Sequence, residues 1–377
     1  MTNPELEPDD DAAPLLELNR GPVALEDYGW NTERAQEFAA LFGDAADILP
    51  GRVAVRYKGQ YAIVTREGEI AARIKGYLRY NATTWAELPV VGDWVAVRKK
   101  EHESLWRIQG ILKRHTTLQR KVKGTKTSAQ VLAANVTKAM IVMGLNEDYN
   151  PRRLERYLVL VHETGIQPIV LLNKADLLDA EYITESCEEI QEIAPGTQVM
   201  PLSALKGKGV EQVKSLITPQ DCVVFVGSSG VGKSTLVNAL MGTEVMATGA
   251  TREDGRGRHT TTTRELMRLP AGGLLIDSPG VRELQLWVDD QSSEEGLSET
   301  FAEIEELASR CRFPDCQHRN EPNCAVLEAL EEGDLSPSRY ESFMAMKAEL
   351  EKLRLREQDA RRLGKSRAFR PKKGKRG

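Results

Sequence analysis

Gly227-Ser228-Ser229-Gly230-Val231-Gly232-Lys233-Ser234-Thr235 follows the apolar run Cys222 to Val226 and opens an amphipathic stretch that ends near Gly242. This is G-x-x-x-x-G-K-[ST] in a strand–loop–helix setting, and each residue type has a task. Glycines let successive backbone N–H groups turn inward around phosphate oxygens, Lys233 reaches β- and γ-phosphates, and the Ser234 hydroxyl is a ligand for Mg2+. Downstream, Asp277-Ser278-Pro279-Gly280 closes the apolar run Leu274 to Ile276. An acid there holds Mg2+ through water, and the Gly280 N–H senses a γ-phosphate. Upstream, Asn173-Lys174-Ala175-Asp176 closes the run Ile166 to Leu172, and Ser203-Ala204-Leu205 follows Val199 to Leu202. A carboxylate at Asp176 accepts from guanine N1–H and the 2-amino group, which adenine lacks, and the Ala204 N–H complements guanine O6. A site built for such partners rejects the base without them. The four strings, each at the C-terminal end of a strand, together select GTP with Mg2+ rather than ATP.

A second constellation is Cys311-Arg-Phe-Pro-Asp-Cys316-Gln-His318-Arg-Asn-Glu-Pro-Asn-Cys324, which reads C-x4-C-x-H-x5-C. Three thiolates and one imidazole suit a tetrahedral Zn2+ with no open position, a structural site for a segment without a core of its own. Five cysteines in 377 residues are too few for a disulfide framework, and their clustering points to a metal in a reducing compartment. Cys187 and Cys222 lie in helix and strand patterns and read as core residues.

The elements that must position these residues are legible in the rhythm of the chain. Residues 1–20 are rich in Pro, Asp and Glu and read as a disordered arm. Its first 17 residues hold six acids and no base, unlike a secretory signal. No run approaches the roughly 18 apolar residues of a membrane span, so a cytoplasmic protein with no membrane partner is expected. Thr32 to Phe42 is a helical segment ended by Gly43. From 51 to 115 the pattern alternates with a period of two: Val53 to Tyr57, Tyr61 to Thr65, Ile70 to Leu78, Trp94 to Val97 and Leu105 to Leu112. Five short strands with glycine-marked turns fit a small barrel of the oligonucleotide/oligosaccharide-binding (OB) type. Beyond 125, strand and helix alternate, with Asn150 and Pro151 starting one helix and Gly165 just past its end, which predicts a mostly parallel sheet wrapped by helices. From about 297 the chain reads as helical.

The formal charge of −5 is an average over unlike parts. Gly51 to Gly124 holds 16 Lys/Arg against 6 Asp/Glu, and Arg361 to Gly377 nine against none, which leaves the remainder strongly acidic. The barrel's cations are interleaved with Tyr57, Tyr61, Tyr77, Tyr80, Trp85, Trp94 and Trp106, the makings of a stacking platform in a positive groove, as single-stranded RNA requires. The plainer reading is that half of these rings fill the barrel. The basic tail reads as an arm for RNA phosphates, or as a generic solubilising one.

Ordinary GTPases run phosphate loop, switch threonine, D-x-x-G, N-K-x-D, S-A-x, whereas here the last two strings precede the first. That is a circular permutation, which a domain with neighbouring termini tolerates. With this order, the chain resembles the circularly permuted GTPases of the ribosome small-subunit-dependent GTPase A (RsgA) family over nearly all of residues 25–340. The resemblance implies a multidomain α/β protein: an acidic arm (1–24), an OB-fold RNA-binding domain with a helical lead-in (25–118), a circularly permuted P-loop GTPase domain (125–285), a helical zinc-binding domain (295–360) and a basic tail (361–377). It supports zinc at Cys311, Cys316, His318 and Cys324. It further implies a monomeric GTP hydrolase that binds the small ribosomal subunit and its rRNA and assists late maturation. The loop Gly255 to Thr263 would be the first switch, with one of Thr261 to Thr263 contacting Mg2+ and the γ-phosphate.

Two departures from the common pattern bear on hydrolysis. Where many small GTPases place a water-orienting glutamine after D-x-x-G, this chain has Val281, so turnover alone should be slow and depend on a partner or another residue. His259 is the candidate residue, the competing reading being a loop histidine that contacts RNA or packs. A phosphate-loop asparagine that would hold K+ is replaced by Gly230, so no K+ dependence is expected. The rival functions are a nucleotide-switched RNA-binding module with negligible turnover and a permuted GTPase acting on another RNA or on the large subunit.

Overall fold

The computed structural model describes residues 21–368 apart from 44, 46, 58, 83, 100–104, 122–128, 247–264 and 278–291. The arm at 1–20, the switch loop with His259 and Thr261 to Thr263, Gly280, Val281 and residues 369–377 lie outside the described residues.

Helix α1 (Thr32–Phe42) starts where Asn31 accepts a hydrogen bond from the Arg34 N–H and ends at Gly43, as its caps predict. The barrel follows as β1 (Ile48–Tyr57), β2 (Gln60–Thr65), β3 (Gly68–Ile74), α2 (Gly76–Asn81), β4 (Trp94–Arg98) and β5 (Trp106–Ile111). Antiparallel β1–β2–β3, a parallel β3–β5 pair and antiparallel β5–β4 and β4–β1 pairs close five strands on themselves. Closure removes the free edges that an open sheet of this size would expose. One expectation shifts: the strand foreseen from Ile70 to Leu78 stops at Ile74. The Lys75 N–H makes a last bond to the Ile108 carbonyl, and Gly76 opens α2. Tyr77 and Tyr80 therefore stand 68% and 79% exposed, whereas Tyr61 and Trp94 are buried. The rings do divide between surface and interior.

A hairpin, β6 (Thr117–Lys121) and β7 (Ala129–Ala134), leads out of the barrel. β6 (Thr-Leu-Gln-Arg-Lys) holds one apolar residue and β7 (Ala-Gln-Val-Leu-Ala-Ala) does not alternate, so neither shows a strand period. Then come β8 (Lys138–Gly144), α3 (Pro151–His162), β9 (Gln167–Asn173), α4 (Ala180–Ile193), β10 (Gln198–Pro201), α5 (Val210–Ser215), β11 (Cys222–Val226), α6 (Lys233–Met241), β12 (Glu265–Arg268) and β13 (Leu274–Asp277). The sheet order β10-β9-β8-β11-β13-β12 is parallel except for β12. The phosphate-loop strand β11 lies inside it between β8 and β13, flanked by strands from both sides of the permutation. β12 (Glu-Leu-Met-Arg) has only two apolar residues between charged ones, so it does not show in the sequence as the equally short β10 and β13 do. β1 pairs with β12 at Val55 and Glu265, so barrel and parallel sheet form one hydrogen-bonded surface.

The C-terminal elements are α7 (Ser292–Thr300), α8 (Ala302–Ala308), α9 (Ala325–Glu332) and α10 (Pro337–Ala368). α10 continues past Arg361, where a disordered tail was expected, because Ala360-Arg-Arg-Leu contains no helix breaker and Gly364 alone does not end it. Among the described residues, no helix is long and apolar enough to cross a membrane.

One apolar cluster joins Trp30, Phe38 and Trp94 to Leu118, Leu132, Ile141 and Leu158, so the barrel shares a core with the sheet. Arg52 is buried at this junction beneath Trp94, 5.5 Å from its ring centroid. It donates to the Tyr28, Gly92 and Asn135 carbonyls, contributed by the lead-in, the barrel and the hairpin exit. Arg52→Met leaves the Tyr28 and Asn135 carbonyls without this donor, while the Gly92 carbonyl keeps the Asn135 amide at 3.0 Å; at about 1–3 kcal/mol for each buried group left unsatisfied the loss should reach about 3 kcal/mol. Urea unfolding should show a lower midpoint for this variant.

Candidate nucleotide site and metal centre

The phosphate loop occupies Gly227–Gly232, between β11 and α6. The Lys233 ammonium is held at the mouth of the loop by the carbonyls of Gly227, at 2.7 Å, and of Ser228. Lys233 and Ser234, on the first turn of α6, line one cleft with Asp277 at the end of β13. The hydroxyl and the carboxylate that the sequence predicts for Mg2+ thus line the same cleft. Ser229 and Gly230 are exposed at the crest of the loop, Val231 is buried beneath it, and Thr235 follows Ser234 on α6.

The two upstream strings are brought to this loop by one side chain. Asn173 is buried; its Nδ2 donates to the Val231 carbonyl at 2.7 Å and its Oδ1 accepts from the Ala204 N–H at 2.9 Å. Gly232 is required beside it, because a Cβ there would lie 2.2 Å from Asn173 Nδ2 and φ is +98°. Lys174 adopts a left-handed conformation, φ +68°, that turns the chain into the short 3-10 segment Ala175–Leu177. Asp176 is exposed on it, as a base-reading carboxylate must be. Ser203 is buried, and its hydroxyl accepts from the Lys206 N–H at 3.2 Å, which shapes the following turn. The Ala204 N–H, foreseen as the donor to guanine O6, is already engaged by Asn173, so a base would share that hydrogen or meet a neighbouring donor of the same turn.

One residue that the sequence did not single out also reaches the loop. Asp148, four residues beyond β8, accepts from the Ser228 hydroxyl at 2.6 Å and pairs with Arg153 of α3 at 2.8 Å. The position was available in principle, since ligands of open α/β sheets gather beyond the carboxyl ends of strands, but nothing in the spacing links residue 148 to residue 228.

The four predicted metal ligands converge, their donor atoms all within 4.8 Å of one another. Cys311 Sγ lies 3.8 Å from Cys324 Sγ, and His318 Nδ1 lies 3.6 and 3.4 Å from these sulfurs. Metal–sulfur bonds of about 2.3 Å and metal–nitrogen bonds of about 2.0 Å in a tetrahedron give edges of about 3.8 and about 3.5 Å. The donor set therefore fits one zinc ion. Burial pushes the Cys316 thiol up to about 11. The loop is shaped by Glu321, whose carboxylate accepts from the N–H groups of Gln317, Arg319 and Asn320 and is thereby held at about 2, and by Tyr340, whose hydroxyl donates to the His318 carbonyl at 2.5 Å.

This segment is fastened to α3. Arg339 of α10 is buried and donates to Glu155 of α3 at 2.7 Å, to Glu303 of α8 at 2.6 Å and to the Thr300 carbonyl at 2.5 Å, with its guanidinium 4.2 Å from the Phe301 ring centroid.

Comparison with known proteins agrees with this geometry. The RsgA GTPase family model matches residues 111–287. An ABC transporter model matches residues 210–365, a span containing the phosphate loop that P-loop nucleotidases have in common. The chain is 44% identical to the small ribosomal subunit biogenesis GTPase RsgA 1 of Oceanobacillus iheyensis, covering 80% of this chain and 85% of that protein. It is 41% identical to the RsgA of Syntrophotalea carbinolica, over 93% and 97% of the two chains. The crystal structure of YjeQ from Thermotoga maritima superposes with a TM-score of 0.60 at 26% identity, over 80% of this chain and 98% of that one.

Asn173→Ala should weaken guanine-nucleotide binding at least tenfold, about 1.4 kcal/mol, because it unpins phosphate loop and base-reading turn together; nucleotide titration measures this. Removing metal with a strong chelator should expose Cys311, Cys316 and Cys324 to a thiol reagent while Cys222, buried in β11, stays protected.

Proposed function

The chain belongs to the RsgA family of GTPases, and on that premise we propose that it binds GTP at Gly227–Thr235, Asn173–Asp176 and Ser203–Ala204, hydrolyses it, and acts in biogenesis of the small ribosomal subunit. The reading rests above all on one observation: Lys233, Ser234 and Asp277 share a cleft whose loop is tied through Asn173 to the two turns suited to guanine. Mg2+ would be held by the Ser234 hydroxyl and, through water, by Asp277, and would neutralise charge on the β- and γ-phosphates. Lys233 adds its positive charge at the same phosphates, and backbone N–H groups of the loop orient them. Asp176 reads the guanine edge. His259 serves hydrolysis in place of the glutamine that Val281 replaces, and Gly280 senses the γ-phosphate.

Zinc is the metal for Cys311, Cys316, His318 and Cys324; three thiolates with one imidazole and no open ligand position make it a structural ion. The domains run 25–118, 125–285 and 295–360, with the hairpin β6–β7 crossing the first boundary. Small-subunit rRNA is the macromolecular partner. The barrel supports this with exposed Tyr77 and Tyr80 on α2, beside Lys75 and Arg79 in sequence. Because only residues 281–291 separate the D-x-x-G string from α7, nucleotide state is relayed from that loop to the zinc-bearing segment.

GTP turnover by the purified chain should be slow and rise at least tenfold on addition of small ribosomal subunits, with large subunits inactive and Lys233→Ala as the control. Binding without turnover under both conditions would make the nucleotide a switch only. Stimulation by large subunits would move the target.

A further inference from the structure

The phosphate loop leans on an acid that none of the nucleotide-binding strings contains. Ser228 donates its hydroxyl to Asp148 Oδ2 at 2.6 Å, while the carbonyl of the same residue accepts from Lys233 Nζ. Ser228 is therefore held at both ends, and the direction of its carbonyl fixes one of the contacts that place the Lys233 ammonium. Asp148 does not swing freely. Arg153 Nη2 pairs with its Oδ1 at 2.8 Å and also bonds its backbone carbonyl, and Arg153 is itself fixed at the start of α3 through its N–H to Asn150 Oδ1 at 3.0 Å. A bare carboxylate beside a phosphate site would repel the ligand, and the Arg153 guanidinium cancels that charge while leaving Oδ2 to accept from Ser228.

We propose that Asp148 is a positioning residue for nucleotide binding, fixing Ser228 so that its carbonyl, with that of Gly227, aims Lys233 at the β- and γ-phosphates, and that Arg153 is its neutralising partner. The inference rests on the reading of Gly227–Thr235 as the GTP site. A short hydrogen bond to an ionised acceptor is about twice as strong as a neutral one, so its loss should be visible in affinity.

The test is titration of the full-length, zinc-loaded protein with fluorescent GTP and GDP analogues. Asp148→Ala and Ser228→Ala should each weaken binding about tenfold, and the double variant should also be about tenfold weaker rather than a hundredfold, because both changes remove one bond. Asp148→Asn, which keeps an acceptor for Ser228, should stay within about threefold of wild type, since the hydrogen bond survives without its charge. Unchanged affinity in Asp148→Ala, or single effects that multiply in the double variant, would overturn the proposal. Should Asp148→Ala fail to fold by thermal melting, Arg153→Met decides. It leaves the acid without its counter-charge, so its affinity defect should be larger at low salt than at high salt, and a defect indifferent to salt counts against the proposal. Lys233→Ala separates this inference from its premise. If Lys233→Ala binds nucleotide as wild type does, the site reading itself fails; if it loses binding while the Asp148 variants match wild type, only the positioning role does.

Discussion

A buried carboxamide, Asn173, holds the nucleotide site in register. It fastens the Val231 carbonyl in the phosphate loop to the Ala204 N–H in the turn after β10, and it does so from the end of β9. Each of these backbone groups would otherwise be a buried polar atom without a partner, at a cost of about 1–3 kcal/mol. The distance between the loop suited to phosphates and the turns suited to a base is thus set by one side chain rather than by the looser packing of three strands. The close approach of Gly232 to that carboxamide shows how little slack remains.

Permutation leaves this arrangement intact because the sheet is assembled by pairing, and pairing is blind to chain order. β8 and β9 come before β11 in sequence, yet β11 still lies between β8 and β13, with Asn173, the Gly227–Gly232 loop and Asp277 at the carboxyl ends of parallel strands. That is why so much was legible beforehand. Phosphate-binding loops need glycines and a lysine at fixed spacing, helix ends need their caps, and the metal needs four donors in a short span, so these features are local and their residues announce them. Thr32–Phe42, the start of α3 at Asn150 and the four metal ligands follow from such rules. What escaped is tertiary. Asp148 and Ser228 are 80 residues apart, the engagement of the Ala204 N–H depends on another strand's side chain, and β12 is a strand only because β13 and β1 flank it.

The charge map needs a similar correction. The surplus of cations in the barrel segment reads as a surface, yet several of them are internal. Arg52 sits beneath Trp94, and Arg114 forms a two-pronged pair with buried Asp93, at 2.8 and 2.7 Å, while also donating to the Ala86 and Leu88 carbonyls. Burial pushes the Asp93 carboxyl above the usual carboxylate range, and the adjacent Arg114 guanidinium and the Val90 N–H oppose that. Arg52 braces the barrel against its lead-in and the hairpin exit, and Arg114 braces a loop of the barrel itself, so fewer cations face a polyanion than composition suggests.

Gly296 of α7 packs where a Cβ would come within 2.6 Å of the Val159 carbonyl on α3. The two helices approach backbone to backbone there, with only the Glu163 side chain beside the contact, and Arg339 of α10 ties Glu155 of α3 to the Thr300 carbonyl of α7. α7 and α3 must therefore tilt as one spar. At about 1.5 Å per residue, the twelve residues of α3 make a beam of about 18 Å, with the phosphate loop braced near its first turn and the zinc-bearing segment riding along its flank. A tilt of α3 about its first turn would therefore carry α7 with it.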